Sequence, residues 1–169
     1  MWVSVADDTD EDVSDFGLTI LDFGFVVRMC QRRLSNYITN DREIQMTKIA
    51  IAVLDANGLD AQVSPHFGRC PYFTLVDIVG QRVCAVETVA NPYYPNHEPG
   101  EVPAFIHSLN AQVMLAGGMG GRAVGFFQQY GIEAATGAGS TVRASLSRYL
   151  GGELQGAAPC SESVEHGHE

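Results

Sequence analysis

The run Ser64-Pro65-His66-Phe67-Gly68-Arg69-Cys70 sets an imidazole and a thiol four positions apart. These are side chains that suit iron-sulfur clusters and soft metals. Arg69, next to the thiol, could offset the negative charge of a cluster built from sulfide and thiolate. His66 and Cys70 are therefore candidate metal ligands, with Arg69 beside them. The same run also reads as a plain turn in which His66 bonds the backbone and Cys70 packs inward.

Two glycine-rich segments follow. Gly117-Gly118-Met119-Gly120-Gly121-Arg122 sits where a strand should turn into a helix. Such a turn exposes N–H groups at a helix N-terminus, where anions bind. It lacks the Gly-Lys-Ser/Thr of a nucleotide-binding P-loop, and no suitably spaced acid completes a dinucleotide fingerprint. Thr136-Gly137-Ala138-Gly139-Ser140-Thr141 has the same character. Gly117, Gly118, Gly120, Gly137 and Gly139 are candidates for backbone contacts to a bound cofactor. Close strand–helix packing also requires glycine, and Ser140 or Thr141 could serve only as a helix N-cap.

Other ligand types are scattered. His97 and Glu98 lie in a Pro-rich loop, and His97 could reach the same edge as His66; His107 falls on the next helix. The tail carries Cys160, His166 and His168 among carboxylates, a set able to capture a metal on a flexible segment, or simply a solubilising end. Asp55 and Asp77 lie at strand ends and Glu87 on a third strand, but no acid follows the later strands, which supports two-metal phosphoryl chemistry poorly. Gly-x-Ser-x-Gly and HExxH are absent. The chain is read as a binding protein rather than an enzyme.

Composition narrows the class. With 20 acidic against 10 basic residues the formal charge is -10, which argues against a nucleic-acid surface or an anionic membrane. No apolar run approaches the roughly 20 residues of a membrane helix. The start is acidic, unlike a secretory leader, so the chain is read as cytoplasmic. Its four cysteines, at 30, 70, 84 and 160, form no CxxC pair and are expected as thiols. Cys84 alternates within a strand pattern and is expected in the core.

The elements that must position these residues begin at Met46. Residues 1–45 lack a clean period and are expected to be an N-terminal extension, either a non-native start or an arm. Lys48–Leu54 reads as a buried strand, and Tyr72–Ile78 and Arg82–Val89 as a hairpin across Gly80-Gln81. Helices are expected over Glu101–Leu109, Arg122–Tyr130 and Thr141–Leu150. Strands are expected at Gln112–Ala116 and Ile132–Ala135. The alternation later in the chain calls for parallel strands, with the early hairpin adding antiparallel ones. The fold class is α/β, a mixed five-stranded sheet with helices packed on it over residues 46–154, and a flexible tail over 155–169.

Val63-Ser64-Pro65-His66-Phe67-Gly68-Arg69-Cys70-Pro71-Tyr72-Phe73, then Ala116-Gly117-Gly118-Met119-Gly120, Gly131-Ile132-Glu133 and Thr136-Gly137-Ala138-Gly139-Ser140-Thr141-Val142, resemble the dinitrogenase iron-molybdenum cofactor biosynthesis family. The resemblance runs from about Met46 to Leu154. It implies a ribonuclease H-like motif with sheet order 3-2-1-4-5, and binding or transfer of an iron-molybdenum cofactor or its iron-sulfur precursors. It implies His66 as cofactor ligand, and an iron-sulfur scaffold ATPase or a cofactor-accepting protein as partner. A carrier of such a cluster is the reading it favours. The alternatives are an adaptor for the ATPase and a metal-dependent nuclease.

Overall fold

The computed structural model describes residues 45–157. The expected N-terminal extension, apart from Gln45, lies outside the described residues, as do Cys30, Cys160, His166 and His168. The elements are β1 Met46–Val53, β2 Tyr72–Val79, β3 Arg82–Ala90, α1 Glu101–Ser108, β4 Val113–Leu115, α2 Gly121–Gln129, β5 Glu133–Ala135 and α3 Val142–Leu150. Short 3-10 turns at Gly58–Asp60 and Phe67–Arg69 break the loop between β1 and β2.

The strands form one sheet in the order β3-β2-β1-β4-β5, the 3-2-1-4-5 arrangement expected. β1 runs antiparallel to β2 and parallel to β4; β2–β3 is the antiparallel hairpin and β4–β5 is parallel. Central position explains why β1 is apolar at successive positions: both its faces are covered. Ile49, Ile51 and Val53 pack with Val142 and Leu146 of α3 on one face. Ala50 and Ala52 share the other face with Val102 and Ile106 of α1 and Phe127 of α2. Phe67 belongs to that second cluster, its ring centroid 5.1 Å from Phe127 and 6.1 Å from Phe73. The loop bearing His66 is thus pinned to the core by its neighbour. A buried Phe contributes roughly 1.5–3 kcal/mol, enough to hold a short turn in place.

Local chemistry sets the helix starts. Thr141 Oγ1 accepts from the N–H of Ala144 at 3.3 Å and caps α3; of the two cap candidates it is Thr141 that acts. Pro103 sits in the first turn of α1, where its missing N–H leaves no bond unmade.

Two details differ from expectation. Cys84 is only half-buried, not core. The β2–β3 register shifts there, with Asp77 opposite Ala85 but Ile78 opposite Val83, so Cys84 is the extra residue of a bulge and leaves the alternation. Leu154 is 3 % exposed and packs with the α3 cluster, and Gly156 O accepts from Thr136 N–H at 3.2 Å. The chain after α3 therefore folds back on the loop beyond β5 and holds the first residues of the expected tail, up to Gly156.

Candidate functional site

Sheet order brings three loops together at the carboxyl ends of β1, β4 and β5, and backbone hydrogen bonds stitch them. Gly117 N–H donates to Ser64 O at 3.0 Å, Phe67 N–H to Gly118 O at 2.9 Å, and Gly137 N–H to Gly117 O at 2.9 Å. A Cβ on Gly117 would stand 2.7 Å from Pro65 Cα, so only glycine lets these backbones meet. This is where ligands bind in open α/β sheets.

The stitching reassigns several glycines. The N–H groups of Gly117 and Gly137 are used between loops, and that of Gly139 donates to Ser145 Oγ at 3.1 Å. Three of the amides expected to face a cofactor are therefore consumed in building the scaffold. Gly118 contributes its carbonyl to the same scaffold. Gly120 differs: it precedes α2 as a cap residue without a side-chain cap bond, and it lines a cleft.

That cleft has a volume of ≈ 260 Å³. Phe67 and Gly68 form one wall, His97, Pro99 and Gly100 a second, and Gly120, Arg122 and Phe126 a third. Positive charge gathers on it: the amino end of α2, with its partial charge of about +0.5, and the Arg122 guanidinium. The His97 imidazole lies against Gly68, where a Cβ would be 3.1 Å from Cε1 and 3.2 Å from Nε2. Gly68 thus makes the room in which His97 stands. The sequence placed His97 in a Pro-rich loop within reach of the edge that carries His66; the glycine opposite it carries no local signal of the pairing.

His66 caps the turn Phe67–Arg69 and is half-buried, directly before the cleft residues Phe67 and Gly68. Ser64 Oγ donates to His66 O at 2.8 Å and faces His66 N–H at 3.3 Å, which fixes the backbone there. Arg69 is exposed.

Cys70 does not join them. It is 0 % exposed, packed with Phe73, Val102 and Met114, and its Sγ donates to Phe67 O at 3.2 Å. Burial pushes its thiol from 9.0 up to about 12. Core packing thus sets Cys70 apart from the cleft groups His66 and His97.

The acids are also dispersed. Asp55 Oδ1 accepts from Asn57 N–H and Oδ2 from Gln62 N–H, shaping its own loop. Asp77 lies opposite Lys48, at the other end of β1. Glu87 is exposed on β3. No group of three or more His, Cys, Asp or Glu side chains stands ready to hold a metal ion among the described residues, and none of their helices is long and apolar enough to cross a membrane.

Known proteins have similar folds. The orange protein of Desulfovibrio gigas, solved in its apo form, is 30% identical, with a TM-score of 0.60 over 69% of this chain and 98% of its own. The crystal structure of PH0822 is 36% identical, with a TM-score of 0.58 over 65% of this chain and 96% of its own. An uncharacterized protein of Methanocaldococcus jannaschii is 27% identical over 120 residues, 70% of this chain and 98% of that protein. The family model for dinitrogenase iron-molybdenum cofactor proteins matches residues 47–152, the whole sheet and all three loops, and this chain belongs to that family.

Proposed function

We propose that this protein binds a metallocluster of the iron-sulfur or iron-molybdenum type at the cleft between Gly68, His97 and the start of α2, and hands it on during metallocofactor assembly. The observation that carries this reading is the cleft itself: imidazole, guanidinium and an uncapped helix start around ≈ 260 Å³ of space, in a chain of this family. Clusters of sulfide and thiolate are anionic, and these groups suit an anion. His66 and His97 are the candidate protein ligands, with Arg122 and Arg69 offsetting charge. Few ligands on an exposed rim favour exchange, as carriage requires and a closed four-cysteine cage does not. The orange protein of Desulfovibrio gigas, a similar structure, was solved in its apo form.

The role is carriage, without a catalytic step, and the partners would be an iron-sulfur scaffold ATPase or a cofactor-accepting protein. The test is anaerobic reconstitution of the full chain with iron and sulfide, with and without molybdate, followed by visible absorption and metal analysis. Uptake by the wild type that is lost in both His66→Ala and His97→Ala supports the reading. Uptake unchanged in both variants, or none in the wild type, overturns it and leaves the adaptor as the better account.

A further inference from the structure

Strand β3 is the outer edge of the sheet, and among the described residues nothing pairs with its free side. Alternate residues of such an edge turn their N–H and C=O groups away from β2, and that outward row is a template for another strand. Two of the usual protections are absent, since Arg-Val-Cys-Ala-Val-Glu-Thr-Val-Ala holds no lysine and no proline, and Val83 and Val86 are 42% and 37% exposed.

The bulge at Cys84 arranges the side chains in an unusual way. Residues three apart on a regular strand point to opposite faces. Here Val83 lies opposite Ile78 and Val86 opposite Val76, and both partners belong to the cluster under α3. The two valines therefore share one face. Arg82 lies opposite Val79 and Glu87 opposite Leu75, which puts the arginine and the glutamate together on the other face.

We propose that β3 pairs with β3 of a second copy, antiparallel about a two-fold axis, with Arg82 opposite Glu87 and Val83 opposite Val86. A two-fold axis perpendicular to the sheet keeps each face on the same side in both copies. This register then sets two Arg82–Glu87 ion pairs on one face and two Val83–Val86 contacts on the other, all between residues that already share a face. Such cross-strand pairs are what stabilise sheets. The two Cys84 bulges meet at the axis. A register centred on Glu87 would instead set like charges opposite each other, and one centred on Val86 would oppose Val83 to Val89, which lies across from Phe73 on the other face. Against these registers, charge and face together favour the pairing of Arg82 with Glu87.

The test is sedimentation equilibrium of the full chain with paired charge reversals at exposed positions, which leave the core untouched. The wild type is expected to dimerise. Arg82→Glu and Glu87→Arg are each expected to weaken self-association at least tenfold. Mixed in equal amounts, these two variants are expected to form a heterodimer, because each supplies the charge the other lost; the double variant Arg82→Glu/Glu87→Arg is expected to dimerise again. A wild type that stays monomeric overturns the proposal, including one whose β3 amides are protected from hydrogen exchange by some other segment. So does a dimer that both single reversals leave intact, or single variants that fail to rescue each other.

Discussion

A Cβ added to Gly117 would stand 2.7 Å from the Cα of Pro65 and 2.9 Å from its carbonyl oxygen, so the loop after β4 and the loop that carries His66 touch backbone to backbone. The obstacle is main chain, which cannot swing aside as a long side chain would. Gly117→Ala is expected to destabilise the fold by about 1–3 kcal/mol, the usual range for overpacking, and to shift the His66 loop. Urea unfolding measures the first effect and cluster uptake the second. A variant with unchanged midpoint would mean that the loops separate more easily than their two hydrogen bonds suggest.

At Gly68 the neighbour is the ring of His97, and the outcome should differ. His97 is exposed, so Gly68→Ala can displace the ring with a stability change of less than about 1 kcal/mol. Cluster uptake should fall nonetheless, as it should in His97→Ala. Equal loss in both variants at near wild-type stability would tie the effect to the position of the imidazole. Full uptake by Gly68→Ala would remove His97 from the ligand set.

The buried thiol of Cys70 makes a pH-dependent prediction. Its pKa is about 12 in the fold against 9.0 ordinarily, so above pH 9 the unfolded chain gives up this proton while the folded one keeps it. The unfolded state then binds fewer protons, and stability must fall as pH rises from about 9 towards 12. Tyr149, raised from 10.0 to about 12 by burial and by the nearby Glu133, adds to the fall from pH 10 upward. Between pH 8 and 10, urea midpoints should decline in the wild type and less steeply in Cys70→Ala. The same variant should still take up cluster; loss of uptake would restore Cys70 as a ligand.

The ion pair Lys48–Asp77 joins β1 to β2 far from the cleft, with Nζ 3.3 Å from Oδ1. Among the described residues Oδ1 accepts no aligned hydrogen bond, so the contact is a charge pair at a side chain only 5% exposed. Removing the cation strands a buried carboxylate, which in fully buried pairs costs roughly 3–5 kcal/mol. Lys48 is 21% exposed, which lets water share the charge, so Lys48→Met should cost about 1–3 kcal/mol. Asp77→Asn, which removes the charge but keeps the shape, should cost less. Thermal or urea unfolding of the two variants decides; the reverse ranking would mean the carboxylate is better solvated than its burial implies.

The sequence by itself determined the order of elements, the hairpin at Gly80-Gln81 and the mixed sheet, because these follow from local patterns: apolar runs for covered strands, three-to-four spacing for helices, glycines and prolines for stops. It also determined that the loop at His66 and the glycine loops meet at one edge of the sheet, since the carboxyl ends of parallel strands lie together. Which groups face the cleft was decided only by the tertiary structure. Cys70 and His66 are four residues apart in the chain, yet one is core and the other rim, because Phe67 and Phe73 fix how the segment enters the aromatic cluster. Gly68 and His97 are far apart in sequence and meet because the Pro-rich loop folds back over the end of the β1–β2 loop. The amides of Gly117 and Gly137 look free in the sequence and are used between loops. Local spacing encodes the conformation of a segment, but the neighbours of a side chain depend on how distant segments pack, and no short pattern records that.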